Sequence, residues 1–201
     1  SPPPRRRGLI CLRDRVYAAI GPLADMPIED LRAQFETNGF APMEMTKACL
    51  PLLMAKKIIT QKELTQQQVA EKVSAKDDIK YNAQVVNIGS VSGITTTPFS
   101  GAYCATKAAL HSLSDAQRME LAPFGIDVIT VQPGAIESKF GDNSLNNVLQ
   151  RITPKSLYAP LKEAIQARAT ASQDNPTPAA EFAERLVEQL LDKPKAVIRI
   201  G

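Results

Sequence analysis

The sequence predicts an α/β fold built on a parallel sheet, and three observations lead there. Short aliphatic runs, partly β-branched and without polar alternation, recur along the chain, which is how strands buried on both faces read. Longer stretches with apolar residues at helical spacing lie between them. Strands that alternate with helices build βαβ units. With 201 residues, 44% of them hydrophobic, the chain holds material for one core, so a single domain is expected.

In chain order, residues 1–8 combine Pro2, Pro3 and Pro4 with Arg5, Arg6 and Arg7, and read as a disordered, solvated tail. LICL at 9–12 is the first strand. Residues 28–56 favour helix but contain Gly39, Pro42 and Pro51, which predicts two pieces or a kink. Residues 58–83 are polar and charged; they read as a surface insertion with a short helix at 65–74. VVNI at 85–88 is the second strand. Residues 103–121 place Ala109, Leu110, Leu113, Ala116 and Leu121 at helical spacing, and VITV at 128–131 follows as the third strand. Residues 141–175 read as irregular or helical, and their Pro, Asn and Ser content suggests a mobile lid or loop region. Residues 181–191 carry two apolar rows, Phe182/Leu186/Leu190 and Ala183/Val187/Leu191, with Thr177 as a cap and Pro178 in the first turn. AVIRI at 196–200 closes the set.

Composition narrows the function. A net charge of +3 and 5% aromatic residues give no support for a nucleic-acid binder driven by bulk charge. Cys11, Cys49 and Cys104 are odd in number and far apart, without a CxxC pair, so neither a zinc site nor a disulfide framework is indicated and a reducing, cytosolic setting is expected. No apolar run approaches the ~20 residues that span a bilayer. The first residue is Ser rather than Met, which reads as a fragment.

The chemistry concentrates in 85–140. Ser90 ends a strand, Tyr103 follows on a helix, and Lys107 is one helical turn further on the same face. A phenol titrates too high to exchange protons at neutral pH, but an adjacent ammonium stabilises the phenolate. A shift of ~3 units takes roughly 4 kcal/mol of differential interaction. Tyr103 so tuned would donate a proton to a carbonyl oxygen that receives hydride, or take one in reverse, while Ser90 orients that oxygen. Tyr158 and Lys162 repeat the spacing, but Pro160 lies between them and no strand-ending serine precedes them, so they read as structural. His111, the sole histidine, reads as a helix-surface or interface residue, Cys104 as packing, and Met43, Met45 and Met54 as core filling.

The run VVNIGSVSGITTTPFSGAYCATKAALHSLSDAQRMELAPFGIDVITVQPGAIESKF resembles the catalytic half of the short-chain dehydrogenase/reductase family. That resemblance implies catalytic roles for Ser90, Tyr103 and Lys107, with Tyr103 and Lys107 also touching the cofactor and Lys107 binding its nicotinamide ribose. It implies that Asn38 holds a relay water and that Asn87 is the family's strand asparagine. It assigns Pro133, Gly134, Ile136 and Ser138 to NAD or NADP, the Ile136 backbone facing the carboxamide and Ser138 a phosphate. No metal is implied. The glycine-rich turn that cradles a pyrophosphate is absent, and only 20 residues precede Gly21 where one βαβ unit takes about 30. The expected fold is therefore a partial Rossmann-like doubly wound parallel sheet missing its first strands, at 9–201. Arg13-Asp14-Arg15-Val16 stands where the family has Asn-Asn-Ala-Gly.

Three functional readings follow. The first is NAD(P)-dependent reduction of a ketone or aldehyde, or the reverse, on a small lipophilic substrate covered by 141–175, with little or no activity from this chain alone. The second is a non-catalytic protein that keeps the family's dimerisation helices and pairs with itself or with a full-length relative. The third is a partial or misread sequence of a complete enzyme. An exposed edge strand would make the chain self-associate.

Overall fold

The computed structural model describes residues 9–12, 16–62, 83–138, 152–191 and 194–201. Four parallel strands form one sheet in the order β1 (Leu9–Leu12), β2 (Ala83–Ile88), β3 (Ile126–Pro133) and β4 (Val197–Ile200). The register pairs Leu12 with Asn87, Asn87 with Thr130, and Thr130 with Val197. Each predicted strand is present, β2 and β3 extending two residues earlier than their apolar runs.

Alternation along the strands divides the core between the two faces. On one face Val85, Ile126 and Val128 pack with Leu53 of α2 (Ala41–Lys62), and Leu121 of α3 (Gly101–Leu121) joins them. On the other, Val86, Ile129, Val131, Ile198 and Ile200 meet Leu186 and Leu190 of α5 (Ala179–Leu191). Helices on both faces of a parallel sheet make the doubly wound arrangement expected. Only one of the two apolar rows of α5 enters the core: Val187 and Leu191 stay 49% and 64% exposed.

The region of Gly39 and Pro42 resolves as a kink of a definite kind. α1 (Ile28–Phe35) runs into a π turn at Glu36–Phe40, where the Ala41 N–H reaches back five residues to the Glu36 carbonyl, and α2 continues from there. Pro42 has no N–H for the Asn38 carbonyl, and its ring would crowd that carbonyl in a regular helix, so the ladder widens by one residue. Pro51 is carried inside α2. The helix runs on to Lys62 and Ala83 already belongs to β2, so both ends of the expected insertion are in regular structure; the helix expected at 65–74 and the tail 1–8 lie outside the described residues.

Two further details differ from expectation. Thr177 does not stand as a cap; its backbone bridges to Ile136, and Pro178 takes the position before α5, accepting from the Phe182 N–H. Met45 is 46% exposed rather than in the core, because it lies on the outward side of α2. The described part of 141–175 is largely helical: a 3-10 turn at Ala159–Leu161 leads into α4 (Lys162–Thr170). Ile165 and Ala169 of α4 pack with Ala18, Ile20 and Ile152, and Phe99, Tyr103 and Tyr158 rest against that cluster. α4 is thus a roof fixed over the C-terminal end of the sheet.

Candidate active site

The site grows out of the end of β2. The Gly89 N–H extends the ladder one step to the Val131 carbonyl at 2.7 Å, and Ser90 then leaves the sheet as the N-cap of a 3-10 turn, Val91–Gly93. Its Oγ accepts the Ser92 N–H at 3.1 Å, and its own N–H donates to Nε2 of His111 at 3.3 Å. Gly89 and Gly93 both abut the His111 ring, so closely that a Cβ at either position would strike it. The half-buried imidazole is therefore the floor of the serine turn, not a surface or interface group. The signal was present: His111 is four residues beyond Lys107, on the same helical face.

α3 begins at Gly101, which puts Tyr103 in its first turn and Lys107 in its second. Lys107 is 2% exposed, its Nζ donates to the Ile88 carbonyl at 2.9 Å, and it stands 5.9 Å from the Tyr103 ring centroid. The expected lowering of the Tyr103 pKa by Lys107 is not found. Burial pushes the phenol up to about 12, against a smaller lowering from its hydrogen bond with Ser90. Burial also pushes Lys107 down to about 8. The physical reason is that desolvation disfavours both charges, and the ammonium is turned to the last β2 carbonyl rather than to the phenol oxygen.

Asn38 sits in the π turn, 3% exposed, and its side chain clamps another segment. Oδ1 accepts the Tyr17 N–H at 3.1 Å, while Nδ2 donates to the Tyr17 carbonyl at 2.8 Å and to Thr106 Oγ1 at 3.1 Å. Asn87 is fully buried and donates to Ser114 Oγ at 2.9 Å.

A cavity of about 660 Å³ at the C-terminal edge of the sheet brings Ser90, Tyr103, Lys107, Pro133, Gly134, Ile136 and Ser138 together. Asn38 is not on its wall; it lines an adjoining cavity of about 380 Å³ with Asn87 and Phe182, and Lys107 borders both. β3 ends at Pro133, and Gly134 lies so close to Gly201 that a Cβ on Gly201 would come within 2.8 Å of the Gly134 nitrogen. The residues expected at the nicotinamide end of a dinucleotide all line this one cavity; a glycine-rich cradle for the pyrophosphate has no counterpart among the described residues. Arg168 and Gln173 also line the larger cavity, and sequence reasoning missed both, since nothing local marks a lid residue as a wall. Tyr158 packs edge-on to Phe99 with centroids 6.3 Å apart, and Lys162 opens α4, which agrees with a structural reading of that second pair. Among the described residues no His, Cys, Asp and Glu cluster could hold a metal, and no helix is long and apolar enough to cross a membrane.

Comparison with known proteins bears on this geometry. The family model for short chain dehydrogenase matches residues 65–148, opening inside the stretch read as an insertion. A probable short-chain type dehydrogenase/reductase of Helicobacter pylori is 29% identical over 166 residues, which is 78% of this chain and 52% of that protein. An NADPH-dependent 3-dehydrocapnine reductase of Ornithobacterium rhinotracheale is 31% identical over 135 residues, 67% of this chain and 41% of that one. The chain therefore spans about half the length of the curated relatives it matches. In fold, a short chain dehydrogenase/reductase from Burkholderia phymatum in complex with NAD superposes with a TM-score of 0.67 at 18% identity, covering 96% of this chain and 60% of that one. Sequence relatives, family model and fold meet on the stretch that holds Ser90, Tyr103 and Lys107, and the chain belongs to the short-chain dehydrogenase/reductase family.

Proposed function

We propose that this chain carries the catalytic part of an NAD(P)-dependent oxidoreductase that interconverts a ketone or aldehyde and its alcohol. The observation that carries the reading is the convergence of Ser90, Tyr103 and Lys107 with the wall from Pro133 to Ser138 around one cavity. When bound, the nicotinamide cofactor supplies or accepts the hydride. Tyr103, held protonated by a pKa near 12, donates its proton to the carbonyl oxygen in reduction. Ser90, fixed by His111 and by its own turn, hydrogen-bonds that oxygen and sets its position. Lys107 supports the phenolate left behind and binds the ribose. Asn38 spends its amide nitrogen on Tyr17 and Thr106 and keeps one carbonyl lone pair for a relay water. Cofactor contacts fall to Tyr103, Lys107, Pro133, Gly134, Ile136 and Ser138. The chain acts as a single domain from 9 to 201, and the free thiols of Cys49 and Cys104 agree with a reducing, cytosolic setting.

A second reading has its own observation. Leu52 on α2 and Met119 on α3 are 71% and 72% exposed, as apolar residues at a subunit contact would be in the isolated chain. On that reading the chain pairs with itself or a longer relative and turns nothing over.

Calorimetric titration with NADH and NADPH separates the two. Binding of either, followed by turnover of a carbonyl panel that Tyr103→Phe abolishes with the thermal melt unchanged, supports the enzyme. No binding at millimolar cofactor, or full turnover in Tyr103→Phe, would sink it.

A further inference from the structure

Among the described residues, the larger cavity holds two cationic side chains, Lys107 and Arg168, and no Asp or Glu lines it. Lys107 is committed to the Ile88 carbonyl. Arg168 is held differently. Its Nε and one terminal nitrogen, Nη2, donate to the Thr97 hydroxyl at 3.2 and 2.9 Å, which fixes the guanidinium plane. Its other terminal nitrogen has no partner, and the group has no carboxylate, among the described residues. A half-buried guanidinium without a counterion is costly, and its fork matches the two oxygens of a carboxylate or its analogues.

Its place in the cavity sorts the candidate anions. Ala169, the next residue, packs in the cluster that Tyr103 rests against, and Thr97 lies between Ser90 and the start of α3. Arg168 is therefore on the Ser90 and Tyr103 side. On the side of the wall assigned to the cofactor, the Ser138 N–H reaches Gln173, just beyond the end of α4. The same cavity is lined by the apolar Ile20, Val91 and Ala169 as well as by the uncharged polar Ser92, Ser100 and Ser172.

From this arrangement we infer that the carbonyl substrate has an apolar body and an anionic end, a carboxylate, phosphate or sulfonate, and that Arg168 binds that end. The inference rests on the oxidoreductase reading of the same cavity. It sharpens the expectation of a lipophilic substrate: the apolar lining takes the chain of such a molecule, and the guanidinium takes its head.

The test uses the purified chain without turnover. It is titrated calorimetrically with a short series of linear oxo-carboxylates and with the methyl ketones in which a methyl replaces the carboxylate. One well-placed charge-assisted pair predicts a preference of about tenfold for the best oxo-carboxylate. Arg168→Met, with an unchanged melt, brings the pair within about twofold, and Arg168→Lys restores part of the preference. Equal affinity in the parent chain, no binding of either ligand, or a preference that survives Arg168→Met would each overturn the proposal. Inorganic pyrophosphate is the second arm. If it competes with the oxo-carboxylate and loses as much affinity on Arg168→Met, the guanidinium serves cofactor phosphates and the proposal falls. If the dinucleotide fails to bind while the Arg168-dependent preference persists, the oxidoreductase reading fails and what stands is Arg168 as the anion-binding group of the cavity.

Discussion

Burial sets the protonation of the site at each of its three titrating side chains, and each leaves a pH signature. Lys107 drops from 10.5 to about 8, so between those values the unfolded chain keeps a proton the folded chain has released. Stability should therefore rise with pH through that window, by up to roughly 3 kcal/mol. Urea denaturation at a series of pH values checks it, and Lys107→Met should flatten the rise. Tyr103 works the other way: folded, it holds its proton up to about 12, so stability falls as pH climbs from 10. His111 lies below its ordinary 6.5 because it is buried and faces Lys107 and Arg199, with Asp115 opposing. As the sole histidine it gives one unambiguous ring signal. Nitrogen-15 NMR should find Nε2 unprotonated at neutral pH, with the Ser90 amide shifting at the same midpoint below 6.5. An Nε2–H tautomer, or a Ser90 amide indifferent to the titration, would rule out the acceptor role. Ser90, Tyr103 and Lys107 were legible in the sequence because a strand end and one helical turn fix their relation. The directions of their pKa shifts were not, since desolvation depends on what the rest of the chain stacks over them.

At the level of elements, period was readable and facing was not. The two rows of α5 were visible in the sequence, but which one meets the sheet depends on the angle at which Pro178 and the Thr177–Ile136 bridge deliver the helix. Gly39 and Pro42 announced a break, yet only the fold makes it a π turn that aims Asn38 at Tyr17 and Thr106. Three hydrogen bonds from one buried amide predict that Asn38→Ala costs about 2–4 kcal/mol in chemical denaturation, a value near zero being incompatible with the clamp. The serine turn offers a cleaner test of packing. Gly89→Ala drives a methyl into the His111 ring and to 3.0 Å from the Val131 carbonyl. Measured alone, it should destabilise by about 1–3 kcal/mol, as overpacking does. In a His111→Ala background most of that cost should vanish, because the ring is the nearest obstacle. Additive effects would mean that strand geometry, not the histidine, sets the requirement for glycine.

For the molecule as a whole the open question is what meets its outer surfaces. Among the described residues the sheet order puts β1 at one end, paired on one side to β2, and a parallel strand with a free edge is a template for another chain. Among the exposed apolar side chains, two regions lie on helices that cover the sheet: Leu52 and Met119 on the long helices, Val187 and Leu191 on α5. These helices pack on opposite faces of the sheet, so the two regions cannot serve a single flat contact. Self-association is therefore expected, and its mode can be dissected. Size-exclusion chromatography with light scattering at micromolar concentration should return a mass above the 21.8 kDa monomer. Leu52→Glu with Met119→Glu should return the monomer if the long helices form the contact, leaving Val187→Glu with Leu191→Glu without effect. The converse result would assign the contact to the α5 face. A discrete dimer broken by the first pair fits a symmetric interface, since one patch then meets its own copy and closes. Larger, polydisperse species broken by the second pair fit an unsatisfied apolar face, which has no symmetry to end its growth. A clean monomer in the parent chain would show that neither region drives association, and the pairing expected from the exposed helices would have to be abandoned.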